Sequence, residues 1–132
     1  RTLLAEAENE RMHLMIFIEI AKPNWFERWM IILAQALFWH FYLILYIFFP
    51  KVAHRMVGYF EEQAVISYTS YLKAIELGKI ENIPAPTIAI NYYGLGSDAR
   101  LKDVVIAVRE DERGHAQENH SMADIIEDSN DR

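Results

Sequence analysis

Carboxylates and imidazoles stand in this chain where a helix ordinarily places apolar side chains. Leu3, Glu6, Glu10, His13 and Phe17 follow one another at intervals of three and four residues. His54, Val57, Glu61, Ala64, Tyr68 and Tyr71 do the same, and so do Leu101, Val105, Val108, Glu112 and His115. A three-four stripe is the face a helix turns toward its neighbours. A charge buried on that face is costly unless it is paired or bound to a metal. Any fold open to this sequence must therefore bring these groups to one another or to a cation.

The helix breakers divide the chain around those stripes. Pro23 ends a first helix read over 2–21, because the residue before a proline disfavours helical torsions. Asn24 followed by Glu27 is a capping-box variant that opens a second helix. That helix is read over 28–49, its apolar run extends from Met30 to Phe49, and Pro50 closes it. A third helix over 51–77 stops at Gly78, in the position where a left-handed residue ends a helix. "GKIENIPAPTIAINYYGLGSD" is read as one extended loop, after which Ser97 or Asp98 caps a fourth helix over 99–128. The last residues are polar and expected to fray. The class is all-α, and residues 1–132 form a single domain or part of one.

Two of the five histidines follow a glutamate by three residues, at Glu10/His13 and Glu112/His115. One such pair alone is more often an exposed helical pair contributing a few tenths of a kcal/mol. Geometry raises its weight. At 1.5 Å of rise per residue, antiparallel helices put Glu10 about 18 Å below the first turn. The second helix descends about 33 Å and Glu61 climbs back about 16 Å, to nearly the same level. Glu112 falls about 18 Å down the last helix if that helix starts at the same end. Three helices thus deliver oxygen and nitrogen donors to one layer, a donor set that suits iron or manganese. Ferritin-like di-iron carboxylate bundles use one Glu from each of two helices and Glu-x-x-His from each of the other two. This chain supplies Glu-x-x-His, a lone Glu, and Glu-x-x-His. The second helix offers no carboxylate in its apolar run, so the remaining Glu is expected from an earlier helix, upstream of Arg1.

The net charge of −6 and the lack of a basic stripe argue against nucleic acid as a partner. There is no cysteine, which excludes disulfides and thiolate metal sites within the segment. The run from Met30 to Phe49 is long enough to cross a bilayer. A lone span would leave Glu10 and Glu61 on opposite sides of about 30 Å of hydrocarbon. A helix rich in Trp and Phe with basic residues at both ends is better placed lying in one leaflet. Monotopic attachment is favoured over a span, and a buried core helix is a third reading.

The segments "LLAEAENERMHLMIFIE", "HRMVGYFEEQAVISYT" and "VREDERGHAQENH" resemble the alternative oxidase family, the membrane-bound di-iron quinol oxidases that include the plastid terminal oxidase. The resemblance implies two iron ions held by Glu10, His13, Glu61, Glu112 and His115. It implies Tyr68 as the tyrosine close to the metals, and Asn9 and Asp111 as hydrogen-bonding partners that orient the imidazoles. It further implies a quinol pocket beside Glu61 that includes Gln63, Ala64 and Ser67. The chain departs from the family at Gln63, where an acidic residue is usual, and at Ser67, where threonine is common. The first Glu ligand and a quinol-holding arginine are absent from these 132 residues, so the segment by itself is expected to be inactive.

The resemblance implies four-electron reduction of O2 to water by ubiquinol or a related quinol, without proton pumping and insensitive to cyanide. It places the protein on one face of the mitochondrial inner membrane or a bacterial cytoplasmic membrane, with a plastid membrane and a homodimer left open. His54 and His120 are candidates for proton transfer, although surface or structural roles are commoner for such residues. Two other readings stay open. A di-iron hydroxylase of quinone biosynthesis would use the same donors, and a non-catalytic membrane-associated helical protein would use them as structural ion pairs.

Overall fold

The computed structural model describes residues 2–130. It contains five α-helices in the order α1 (Thr2–Ala21), α2 (Trp25–Phe48), α3 (Pro50–Glu76), α4 (Thr87–Tyr93) and α5 (Leu101–Asn130). The all-α expectation holds. Among the described residues the only β-type pairing is an isolated bridge between Pro84 and Arg100. Arg1 and residues 131 and 132 lie outside the described residues, so part of the expected C-terminal fraying does too.

The local signals act as chemistry requires. Lys22 takes a left-handed φ of 47° and its N–H reaches the Ile18 carbonyl at 2.9 Å, closing α1 just before Pro23. Asn24 Oδ1 accepts from the Glu27 N–H at 3.0 Å, and Glu27 Oε2 accepts from the Asn24 N–H at 2.8 Å. This reciprocal capping box starts α2 at Trp25, three residues earlier than the 28 read from the sequence. Pro50 occupies the first position of α3, where its missing N–H leaves no hydrogen bond unmade. Gly78, at φ 69°, ends α3: its N–H bonds the Ile75 carbonyl, and the Lys79 N–H bonds that of Ala74. That pair of bonds satisfies carbonyls the helix end would otherwise leave open.

The segment read as one extended loop holds the main difference. Residues 87–93 form α4, closed by Gly94 at φ 63°. The cap of α5 also differs from the expected Ser97 or Asp98. Asn82 Oδ1 accepts from the Lys102 N–H at 2.9 Å, and Asp103 Oδ2 accepts from that of Arg100 at 2.8 Å. Backbone bonds from Ala85 N to Ala99 O and from Leu101 N to Ile83 O hold Asn82 there. The cap therefore comes from the other side of the loop.

The chain divides into two compact units. One is Arg1–Lys22 with Ala64–Glu112, and the other is Pro23–Gln63 with Arg113–Arg132. The first has an apolar core. Ile16, Ala89, Val104 and Val108 are fully buried and form one cluster; Leu72, Ile75, Leu101 and Val105 form a second. Tyr68 and Ile20 pack against both.

The second unit buries small and polar groups instead: Ala53, Ala116, Ala123, His54 and Asn119. Its α3 and α5 are tied by Lys51–Glu127, by Arg55–Asp124, and by His120 Nε2 to Glu62 Oε1 at 3.1 Å. Its α2 is apolar, with no residue buried and Trp25, Leu37 and Phe48 exposed by 64–74%. By length and composition it could cross a membrane.

Two glycines make a matched test. A Cβ on Gly58 would lie 2.7 Å from the His120 ring, which Arg55 and Glu62 hold in place. A Cβ on Gly114 would meet nothing within 4 Å. Both sit inside helices, where glycine is about 1 kcal/mol worse than alanine. Gly114→Ala is expected to stabilise by about 0.5–1 kcal/mol. Gly58→Ala is expected to destabilise by about 1–3 kcal/mol through overpacking. Denaturant unfolding of the two variants reads the difference in sign.

Candidate metal centre

In the first unit, α1 brings Glu10 and His13 to the residues Asp111 and Glu112 of α5. His13 is 4% exposed and Glu112 is 3% exposed. His13 Nδ1 stands 3.0 Å from Glu112 Oε1 and 3.7 Å from Glu10 Oε1. Its Nε2 stands 3.0 Å from Asp111 Oδ2. Glu10 and Glu112 present ligand oxygens within 4.8 Å of one another. Both ring nitrogens thus face carboxylates, and a neutral imidazole has a hydrogen for only one of them. Burial works against a charge on His13, but Glu10, Glu112 and Asp111 together outweigh it and raise its pKa to about 10.

Asp111 is the fixed point of this arrangement. Its Oδ2 accepts from Tyr93 Oη at 2.7 Å, from Asn9 Nδ2 at 2.9 Å and from His13 Nε2. Burial would raise the carboxyl's pKa, but the hydrogen bonds from Tyr93, Asn9 and His13 prevail and hold it below the usual value. Tyr93 is shifted the other way, its phenol held protonated by burial and by its bond to Asp111. Asn9 also donates to Tyr92 Oη at 2.8 Å. A carboxylate that backs one imidazole nitrogen leaves the other aimed at a fixed point, as at metal-bound histidines. Here that point lies on the side of Glu10 and Glu112. These residues fit a hard cation with oxygen and imidazole donors.

In the second unit, Glu61 of α3 and His115 of α5 are half-buried, and their ligand atoms also come within 4.8 Å of one another. Glu112 and His115 are one turn apart on α5, so they share a helix face. Tyr68 lies seven residues beyond Glu61 on α3, about 10 Å along the axis. It stacks on Phe17 with ring centroids 5.7 Å apart. Of the residues assigned to the quinol pocket, Gln63 and Ser67 are exposed and Ala64 is half-buried. His54 is buried and His120 half-buried within the second unit.

The sequence reading missed Tyr92 and Tyr93, which lay in the supposed loop. A signal was present: "PTIAINYYG" carries Pro86 before the first turn and Gly94 just past the last, the usual asymmetry of a short helix. The reading did find Asn9 and Asp111, and the structure joins them directly.

The His13 shift has a pH consequence. Its pKa rises on folding from 6.5 to about 10, so the folded state takes up the proton more readily than the unfolded one. The stabilisation is complete below pH 6.5 and is lost as pH climbs through 10. In chelator-treated protein, the denaturant midpoint is expected to fall across that window. His13→Gln should flatten the fall, and comparing the two unfolding curves at each pH measures it.

The alternative oxidase family profile matches residues 1–124. The mitochondrial ubiquinol oxidase 2 of Glycine max is 55% identical over 125 residues, covering 95% of this chain and 38% of that protein. The mitochondrial ubiquinol oxidase 1c of Arabidopsis thaliana is 57% identical, with the same 95% and 38% covered. The mitochondrial alternative oxidase 3 of Glycine max is 56% identical, again with 95% and 38% covered. The chain thus spans less than two fifths of the length of these relatives. With its two Glu-x-x-His turns, its His13–Asp111 pair and a match along nearly its whole length, the chain belongs to the alternative oxidase family.

Proposed function

We propose that this chain is the metal-binding part of a quinol oxidase that reduces O2 to water with electrons from ubiquinol or a related quinol. Family membership carries the reading, because relatives more than half identical are named ubiquinol oxidases. The donor chemistry supports it. Glu10 and Glu112 in the first unit, and Glu61 and His115 in the second, each bring ligand atoms within 4.8 Å of one another, and His13 adds an imidazole that already faces Glu10 and Glu112. Two iron ions held there would supply the redox change that O2 reduction requires.

The chain's own residues do the rest. Asp111 takes the Nε2–H of His13 and so keeps Nδ1 toward the carboxylates. Tyr93 and Asn9 hold Asp111 against rotation. Gln63 and Ser67, on the exposed face of α3, offer hydrogen bonds to a quinol head group, beside Ala64. Tyr68 is the redox-active side chain, held by its stacking on Phe17. The reaction balances without an outside proton source: two quinols release four electrons and four protons, and O2 takes up both sets to give two waters. It pumps no protons and resists cyanide.

The apolar α2 lies in one leaflet of a mitochondrial inner membrane, where a quinol's long tail also partitions. The relatives are named as mitochondrial proteins.

Two experiments test this. Membranes carrying the full-length protein are expected to contain two irons per chain and to show quinol-dependent O2 uptake that cyanide does not stop. Glu61→Ala and His115→Ala should each abolish the uptake, and an iron-free wild type would end the proposal. For topology, single cysteines at Glu27 and Lys51, in a background without others, are expected to react with an impermeant maleimide from the same side of sealed vesicles. Labelling from opposite sides would make α2 a span.

A further inference from the structure

The second unit buries a polar pair that the proposed chemistry leaves unused. His54 on α3 is 3% exposed and Asn119 on α5 is 1% exposed. His54 Nδ1 lies 3.0 Å from Asn119 Oδ1, and Asn119 Nδ2 lies 3.0 Å from the main-chain oxygen of His115. The chemistry fixes donor and acceptor at each of these two hydrogen bonds. A carbonyl can only accept, so the amide nitrogen of Asn119 must face His115 and its oxygen must face His54. Nδ1 of His54 must then carry the hydrogen. Tyr46 closes one side of the imidazole, edge to face, with centroids 5.5 Å apart.

We propose that His54 and Asn119 are positioning residues that fix the rotation of α5 at the turn bearing His115. This rests on the metal reading above. Asn119 stands one helical turn beyond His115. His54 stands two turns before Glu61, on the same α3 stripe. The bond between them therefore sets the two donors of this unit, Glu61 and His115, against each other. An apolar pair of equal volume would fill the space, but it would leave α5 free to settle at a slightly different rotation. A buried hydrogen bond admits only one, because turning α5 strands a donor and an acceptor away from water. Partners of this kind typically alter metal affinity or activity by about tenfold to a hundredfold when removed.

The test uses the full-length protein loaded with 57Fe and reads Mössbauer spectra, kcat per bound iron and quinol KM. His54→Leu is expected to change the quadrupole splitting of the iron and lower kcat per iron about tenfold or more, with KM unchanged. His54→Asn, whose amide nitrogen stands where imidazole Nδ1 stood, is expected to restore both. Asn119→Asp keeps an oxygen for His54 but cannot donate to the His115 carbonyl, and it should reproduce the His54→Leu spectrum. It also serves as the reading if the leucine variant does not fold. A wild-type spectrum and wild-type kcat per iron in either folded variant, whatever its unfolding temperature, overturns the proposal. Wild-type protein without iron would overturn the metal reading itself, and that would be seen before any substitution is made.

Discussion

The arrangement around His13 depends on one carboxylate oxygen. Asp111 Oδ2 receives hydrogen bonds from a phenol, an amide and an imidazole at once. Such a concentration suits a charged acceptor, whose bonds are about twice as strong as neutral ones. Its effect passes outward in both directions. Toward α1 it holds the imidazole ring in one orientation. Toward α4 it calls for a tyrosine delivered at the right distance, and that requirement explains the construction of residues 78–100. Gly78 turns the chain out of α3, Asn82 pins the return against the start of α5, and Gly94 ends the short helix that carries Tyr93. A segment that looks like a connection is a mounting for the phenol.

The two units hold themselves together by different physics. In the first, fully buried valine, leucine and isoleucine side chains each contribute about 1.5–3 kcal/mol. In the second, the buried positions are mostly alanine, glycine, histidine and asparagine, and the ion pairs along α3 and α5 are partly exposed. Pairs of that kind are worth about 0–1 kcal/mol. The second unit therefore cannot draw its order from burial alone. Its buried hydrogen bonds carry more of its specificity, and the close approach at Gly58 shows how little free volume it has.

Much of this was legible in the sequence because the signals were local. Asn24 with Glu27, Pro50 and Gly78 each act within one or two turns. The three-four stripes singled out Glu10, His13, Glu61, Glu112 and His115 as candidate donors, since a charge on such a stripe is conspicuous. What was illegible needed a contact distant in sequence. Nothing in "SDAR" reveals that the cap of α5 arrives from Asn82, and nothing near Asn119 reveals that its amide oxygen meets His54. The short α4 was overlooked because two prolines and three glycines within residues 78–98 suggest loop, and because seven residues are too few for a periodic pattern to show.

The bareness of α2 carries a consequence of a different kind. A side chain packed against protein must match the shape of a particular neighbour, whereas one facing fluid hydrocarbon need only be greasy. Most of the 24 positions of this helix should thus accept exchanges among leucine, isoleucine, phenylalanine and methionine with little effect. The exceptions are the few rings that touch α3, such as Phe38 against Phe60 and Tyr46 against His54. With α2 in a leaflet, as proposed above, the surrounding liquid would replace a rigid partner there and loosen the grip of structure on sequence along much of one helix.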